Sequence, residues 1–209
     1  MSPKKRPKRV YKPLSGRIDR LEFEAPLTIG VLSDTHIFGG SGSRRLPEDV
    51  LELFRRFKVD LIVHCGDIVI QRVLDTLGEV APTIAVFGNN EPLEIWQSLP
   101  ERIILSVGDR RIGIVHGHGG PNARTTARTA FREPVELVIY GHSHIPMIEE
   151  VDGVVYFNPG SPTDRRWSQH FGIGVVTVDD RGIRPELILF DHPAHLATIE
   201  PQPVPGADE

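Results

Sequence analysis

The sequence predicts an α/β protein built from two packed sheets, and three observations carry that prediction. Five short, almost wholly apolar runs recur through the first two-thirds of the chain, helix-like segments separate them, and the final third changes to alternating runs joined by turn signals. Leu27-Thr28-Ile29-Gly30-Val31-Leu32 opens the series, and similar runs follow at 61–63, 83–87, 112–115 and 137–140. Apolar residues at successive positions over so short a length indicate strands covered on both faces.

The connecting segments support this reading. Pro47, followed by Glu48 and Asp49, opens a stretch in which Val50, Leu51, Leu53, Phe54 and Phe57 are apolar, the pattern of an amphipathic helix with proline in its first turn. Residues 70–78 and 121–131 carry weaker helical patterns. Strands alternating with helices require crossover connections and predict a largely parallel sheet. Beyond it, runs at 146–151, 153–157, 171–178 and 183–190 are separated by Asp152-Gly153 and by Asp179-Asp180-Arg181-Gly182, which predicts antiparallel hairpins and a second sheet packed on the first.

The 209 residues suit one domain with a sizeable core. Residues 1–24 read as a flexible basic tail, 25–195 as the ordered domain and 196–209, with Pro201, Pro203 and Pro205, as a second flexible tail. Lys4, Lys5, Arg6, Lys8, Arg9 and Lys12 place six positive charges on the first dozen residues, so the remainder carries −10 against a total of −4. An acidic body does not indicate a nucleic-acid partner. No apolar run approaches the roughly 18 residues of a membrane span, and no signal-type stretch follows the basic start, so no membrane association is expected. A lone Cys65 between apolar neighbours reads as a buried small side chain and suits a reducing compartment, so the expected location is the cytoplasm.

Each of the five buried runs ends in metal-competent residues: Ser33-Asp34-Thr35-His36, Gly66-Asp67, Gly88-Asn89-Asn90-Glu91, His116-Gly117-His118 and Gly141-His142-Ser143-His144. Ligands of open α/β sheets bind beyond the carboxyl ends of the strands, so such endings gather in one crevice. A single Asp-x-His or Gly-Asp can merely cap a helix or form a turn. Five in succession are hard to explain by turn chemistry alone. Nitrogen and oxygen donors without thiolate suit Mn, Fe, Ni or Zn in a catalytic site rather than a cysteine-bound structural zinc.

The ordered pattern Asp-x-His, Gly-Asp, Gly-Asn, His, Gly-His-x-His resembles that of the calcineurin-like metallophosphoesterase superfamily. With Asn158-Pro159-Gly160-Ser161 and the compact size, it is most similar to the small bacterial and archaeal phosphodiesterase branch, which also includes a eukaryotic retromer subunit that acts as a scaffold. The resemblance implies a β-sandwich of two mixed sheets flanked by helices, four layers in the order α-β-β-α. It implies two divalent metal ions, manganese first among the candidates. Asp34, His36 and His144 would hold one ion, Asn89, His116 and His142 the other, and Asp67 would bridge them. A hydroxide held between two cations would then attack phosphorus in line. The expected activity is hydrolysis of a small phosphoester, a diester before a monoester, and the alternative is a metal-binding interaction scaffold without turnover. The sequence leaves a homo-oligomer open.

Many members of the superfamily carry histidine after Gly-Asn, where this chain has Asn90. An amide can bind a phosphate oxygen but cannot serve as a general acid, so proton donation falls to water, to His118 or to an acidic leaving group. The catalytic candidates are therefore Asp67, Asn90 and His118. His64 reads as a satisfied core histidine, and Glu91 as a residue that orients the turn or faces solvent. Arg124, Arg128 and Arg132 at helical spacing, and Arg165 with Arg166, are candidate phosphate contacts. Trp96 and Trp167 read as packing residues, and residues 38–43 as a candidate lid.

Overall fold

A computed structural model describes residues 16–40 and 44–200. The basic cluster at 4–12, residues 41–43 of the candidate lid and the last nine residues lie outside the described residues. Chain order runs β1 (Ile18–Phe23), β2 (Leu27–Leu32), α1 (Glu48–Arg56), β3 (Leu61–His64), α2 (Gln71–Gly78), β4 (Thr83–Ala85), α3 (Leu93–Ser98), β5 (Arg102–Val107), β6 (Arg110–Val115), α4 (Ala123–Thr129) and β7 (Leu137–Tyr140). Then follow β8 (Met147–Val151), β9 (Val154–Asn158), β10 (Phe171–Asp179), β11 (Gly182–Phe190) and a 3-10 segment, Pro193–Thr198. The runs read from the sequence all form strands, but Pro47 caps α1 from outside rather than occupying its first turn.

Their distribution differs from the expected one. The five apolar runs do not share a parallel sheet with the hairpins forming another. One sheet has the order β1-β5-β6-β7-β9-β8 and the other β11-β10-β2-β3-β4, so each takes part of the early runs and one late hairpin. Parallel pairs β2/β3, β3/β4, β6/β7 and β7/β9 alternate with antiparallel β5/β6, β8/β9, β10/β11 and β2/β10, which makes both sheets mixed. The reason is topological. β5, absent from the sequence reading, pairs with β1 on one side and hands the chain to antiparallel β6 on the other, which carries the later runs into that sheet.

Side-chain alternation sets the layers. In β3, Leu61 and Val63 enter the core between the sheets while Ile62 turns to α1 and α2; in β7, Leu137 and Ile139 point inward while Val138 and Tyr140 meet α4. The result is the expected α-β-β-α stack.

The expected domain limits were too narrow at both ends. Ile18–Phe23 lies within the supposed tail, yet it pairs in parallel with β5 and sets Leu21 and Phe23 against the inter-sheet core. Leu196, beyond the other limit, is fully buried against the α1 side, and Arg56 donates to the carbonyls of Leu196, Ala197 and Ile199. Both segments are short and lie among polar residues, so neither shows a periodic signal; each is ordered by the surface it covers. No helix among the described residues is long and apolar enough to cross a membrane.

Phe157 of β9 is fully buried in the inter-sheet core. Phe157→Ala should destabilise the protein by about 3–5 kcal/mol, measured by urea unfolding; a loss below about 1 kcal/mol would mean that the two sheets do not depend on this contact.

Candidate metal centre

The carboxyl ends of β2, β3, β4, β6 and β7 converge, although these strands belong to two sheets. Backbone hydrogen bonds fasten the emerging loops to one another: Asp34 N–H donates to Gly66 O at 2.9 Å, His36 N–H to Asp67 O at 3.0 Å, and Gly141 N–H to His116 O at 3.0 Å. So close an approach leaves no room for a Cβ at Gly66, Gly88 or Gly141. At Gly88 it would strike the Asp67 carboxylate, and at Gly141 it would meet the Ser33 hydroxyl and lie 2.7 Å from Asp34 Oδ2.

Five predicted ligands occupy left-handed backbone: Asp34 (φ 55°), His36 (φ 44°), Asp67 (φ 58°), His142 (φ 68°) and His144 (φ 59°). Residues with a β-carbon lose about 1–3 kcal/mol each in such conformations, which persist where surrounding contacts over-determine them and cluster at functional sites.

The side chains form two groups, Asp34 with His36 and His144, and Asp67 with His116 and His142, each with one donor atom per residue inside a 4.8 Å span. Asp67 Oδ2 stands 3.3 Å from His36 Nε2 and 3.4 Å from His116 Nε2, between the groups. Asp34 Oδ1 lies 3.5 Å from His144 Nε2, 3.9 Å from His116 Nε2 and 4.0 Å from His36 Nε2. Donor atoms about 3.4 Å apart are what a cation bound at about 2.1 Å in tetrahedral geometry requires. The buried atoms Asp34 Oδ1 and His116 Nε2 make no well-directed hydrogen bond to the protein. Unpaired buried polar atoms are costly, so these orphans, the donor chemistry and the spacing together fit divalent metal ions.

Neighbouring residues aim these donors. His116 Nδ1–H donates to the Cys65 carbonyl at 2.6 Å, and His144 Nδ1–H donates to the Asp164 carbonyl, so both present Nε2 to the centre. Asn90 donates from its backbone N–H to Asp67 Oδ1 at 2.9 Å and from Nδ2 to Asp67 Oδ2 at 2.6 Å. Buried Glu91 accepts from Ile68 N–H at 2.9 Å, which orients the loop after Asp67 and corrects the solvent-facing alternative. Ser161 Oγ–H donates to Asp34 O at 2.8 Å, Thr163 Oγ1–H to Thr35 O at 2.6 Å and Asn158 Nδ2–H to Gly141 O at 2.9 Å, so the Asn-Pro-Gly-Ser loop clamps the first and last ligand segments. The part of Thr163 and Asp164 was not visible in the sequence, because a carbonyl or a hydroxyl in a loop carries no pattern.

Other candidates divide. Asn89 is exposed, and Asn90 reaches Asp67 instead. His118 stands beside His116 and His142, with ring centroids at 5.2 and 6.4 Å, and its Nδ1 is buried without a partner. Arg166, itself at φ 46°, brings its guanidinium to 3.2 Å from His36 Nε2. Arg165 turns away to the Gln169 carbonyl and the Phe171 ring. Arg124 and Arg128 are taken up by Glu149, so these two form an ion-pair cluster on the sheet rather than part of the site. Trp96 packs on Phe87, but Trp167 is 94% exposed, against the packing role expected of it.

Burial and mutual charge set the protonation states. Burial pushes the Asp34 carboxyl up to about 7, with Asp67 adding to the effect and His116 opposing it. Burial also opposes ionisation of Asp67, but His116, His36 and the Asn90 amide outweigh it and hold that carboxyl well below the usual range. His116 is raised to about 10, since its carboxylate neighbours Asp67 and Asp34 overcome the cost of burying its charge. Burial and the nearby His116 charge lower His118 to about 3 and His142 to about 4, and burial lowers His144 to about 4, so these imidazoles are neutral ligands or hydrogen-bonding groups. A neutral His118 is a poor proton donor at neutral pH. The buried Cys65 thiol is pushed well up and is no nucleophile.

Residues 27–181 match the family model of the calcineurin-like phosphoesterase superfamily domain. The chain belongs to the calcineurin-like phosphoesterase superfamily. Among its relatives is a probable metallophosphoesterase of Methanocaldococcus jannaschii, 38% identical over 140 residues that cover 66% of this chain and 69% of the relative. A solved archaeal phosphodiesterase superposes with a TM-score of 0.61 at 27% identity, over 78% of this chain and all of the other. Vps29 of Entamoeba histolytica, at 22% identity, shares the fold with a TM-score of 0.62 over 78% of this chain and 99% of its own.

Within this calcineurin-like phosphoesterase, His64 acts as the expected core histidine. Gly66 N–H donates to its Nδ1 at 3.2 Å, so Nε2–H donates to Thr35 Oγ1 at 3.1 Å and holds the first ligand loop against the second. Burial lowers its pKa from 6.5 to about 3. The unfolded chain therefore takes up a proton that the folded chain refuses, and this contribution to stability is lost as pH falls below about 6.5. The stability difference between wild type and His64→Gln should narrow below that pH in urea titrations, and a constant difference would show that His64 does not stay neutral.

Proposed function

We propose that this protein is a two-metal phosphodiesterase. The observation that carries the reading is the position of Asp67, whose Oδ2 lies within 3.4 Å of an imidazole nitrogen from each three-residue group. Asp34, His36 and His144 would hold one ion, His116 and His142 the other with Asn89 as a further donor, and Asp67 would be shared. Manganese suits this oxygen and nitrogen set, with Fe, Ni or Zn as alternatives. Two such ions, when bound, supply a water-derived nucleophile at neutral pH and polarise the phosphoryl oxygens. The phosphodiesterase name of a structural relative at 27% identity supports the same substrate class.

The protein's own groups have separable parts. Asn90 engages both oxygens of Asp67 and fixes the shared carboxylate rather than donating a proton. Arg166 is placed to take an oxygen of a phosphoryl group at the His36 side and to stabilise charge that develops there. His118, neutral beside His116, can hydrogen-bond the departing oxygen without protonating it fully. Leaving alcohols that depart as stable anions are then favoured, which suits activated diesters over alkyl monoesters.

Asp67→Asn should reduce hydrolysis of bis(4-nitrophenyl) phosphate to background and lower metal content at both positions, measured by elemental analysis; full activity in this variant would sink the two-metal reading. Arg166→Ala should lower kcat by about a hundredfold, with Arg166→Lys recovering part of it, and equal rates for wild type and Arg166→Ala would remove Arg166 from the reaction. Bound metal without turnover of any diester or monoester would favour the scaffold reading.

A further inference from the structure

Arg166 and Trp167 are the two central residues of a turn closed by Ser168 N–H, which donates to the Arg165 carbonyl at 2.8 Å. Both arms of that turn are fastened. On the entering side His144 donates to the Asp164 carbonyl, Asp164 N–H donates to Ser161 Oγ at 2.9 Å, and the Asp164 carboxylate accepts from Arg44 at 2.9 Å. On the departing side Arg165 donates to the Gln169 carbonyl at 2.7 Å and lies over the Phe171 ring, and Ser168 Oγ–H donates to the His170 carbonyl at 2.9 Å. The tip therefore has a set position. It brings the Arg166 guanidinium to 3.2 Å from His36 Nε2 and leaves the Trp167 side chain 94% exposed.

A single exposed apolar side chain is ordinary on a protein surface, so exposure alone assigns nothing. Position decides. Neighbouring Cα atoms are about 3.8 Å apart, so the indole starts one residue from the guanidinium placed to take a phosphoryl oxygen. An indole offers a flat π-face on which any nucleobase can stack, and a guanidinium on the adjacent residue matches the phosphate of the same nucleotide. His118, beside the departing oxygen, stands with the other group, next to His116 and His142. The ester group that stays on phosphorus then extends on the Arg166 side. We propose that Trp167 is a specificity-determining residue of this centre: its ring stacks on the base of a nucleotide diester whose scissile phosphate lies at Arg166. Phosphorus gains a bond to the oxygen of water, the bond to the leaving alcohol breaks on the His118 side with solvent supplying the alcohol's proton, and the product is a nucleoside monophosphate. The assignment rests on the phosphodiesterase reading for its chemistry but not for the stacking.

The kinetic test compares the 4-nitrophenyl ester of thymidine 5'-phosphate with methyl 4-nitrophenyl phosphate, which has the same leaving group and no base. Manganese-loaded wild type should favour the first by about tenfold in kcat/KM, through KM; Trp167→Ala should lose most of that preference and Trp167→Phe should keep most of it. The residue is exposed, so the variants should fold, and their circular dichroism and melting curves check this. The binding test needs no turnover. Adenosine 5'-monophosphate should quench part of the tryptophan emission of zinc-loaded wild type, ribose 5-phosphate should not, and Trp167→Ala, in which Trp96 is the remaining tryptophan, should show no quenching and an affinity for adenosine 5'-monophosphate lower by about tenfold. Quenching and weaker binding in the variant, with no ester hydrolysed by wild type, would keep the stacking site and remove the phosphodiesterase reading. Hydrolysis of both esters with their ratio unchanged in Trp167→Ala, and equal nucleotide affinity in both proteins, would overturn the assignment of Trp167 and leave that reading intact.

Discussion

The rest of the structure depends on holding two buried carboxylates, Asp34 and Asp67, among four imidazoles at the seam where the strand ends meet. Charges taken out of water are expensive unless paired and hydrogen-bonded, and like charges this close raise each other's cost. The opposite shifts of the two carboxyls show how the protein divides that cost. Asp67 takes the imidazoles and the Asn90 amide and stays ionised, whereas Asp34, fully buried, is pushed up to about 7. A divalent cation held by each group would offset both carboxylates and satisfy the orphaned Asp34 Oδ1 and His116 Nε2 together.

The fold serves that requirement through approach and aim. Loops from two sheets are brought so close that Gly88 and Gly141 have no space for a side chain, and the ligand residues themselves accept left-handed backbone to point inward. The strain is held by a frame of ordinary hydrogen bonds: His64 to Thr35, Ser161 to the Asp34 carbonyl, Glu91 to Ile68. Tautomers are set by the same means, since a carbonyl on Nδ1 of His116 and of His144 turns the other nitrogen to the centre. These contacts hold the gathered side chains in a fixed geometry.

Much of this was legible in the residues, for identifiable reasons. Leu27–Leu32 and Leu137–Tyr140 were read with their observed limits because strands covered on both faces are continuously apolar. The six carboxylate and imidazole residues that the structure gathers into two groups were legible as candidates because each follows such a strand. Asn90 was placed at the site, but its function there was not visible: the expectation was a phosphate contact, and the amide instead engages Asp67. Arg124, Arg128 and Arg166 looked alike as candidates; only the position of Glu149 opposite the first two and of His36 opposite the third separates them. β1 and Leu196 were missed, because a segment ordered by one apolar face against an existing sheet or helix needs no periodicity of its own.

The sequence by itself determined the chemistry: which donor atoms are present, that each follows a buried strand, and hence that the chain is a metal-binding member of its family. Only the tertiary structure decided which sheet each strand joins, which arginines meet a carboxylate and which nitrogen of His116 and of His144 faces the centre. The physical reason is range. Burial of a strand and the turn after it are encoded by neighbours along the chain, whereas the partner of a guanidinium or an imidazole lies on another loop, and its distance is set by the packing of both sheets.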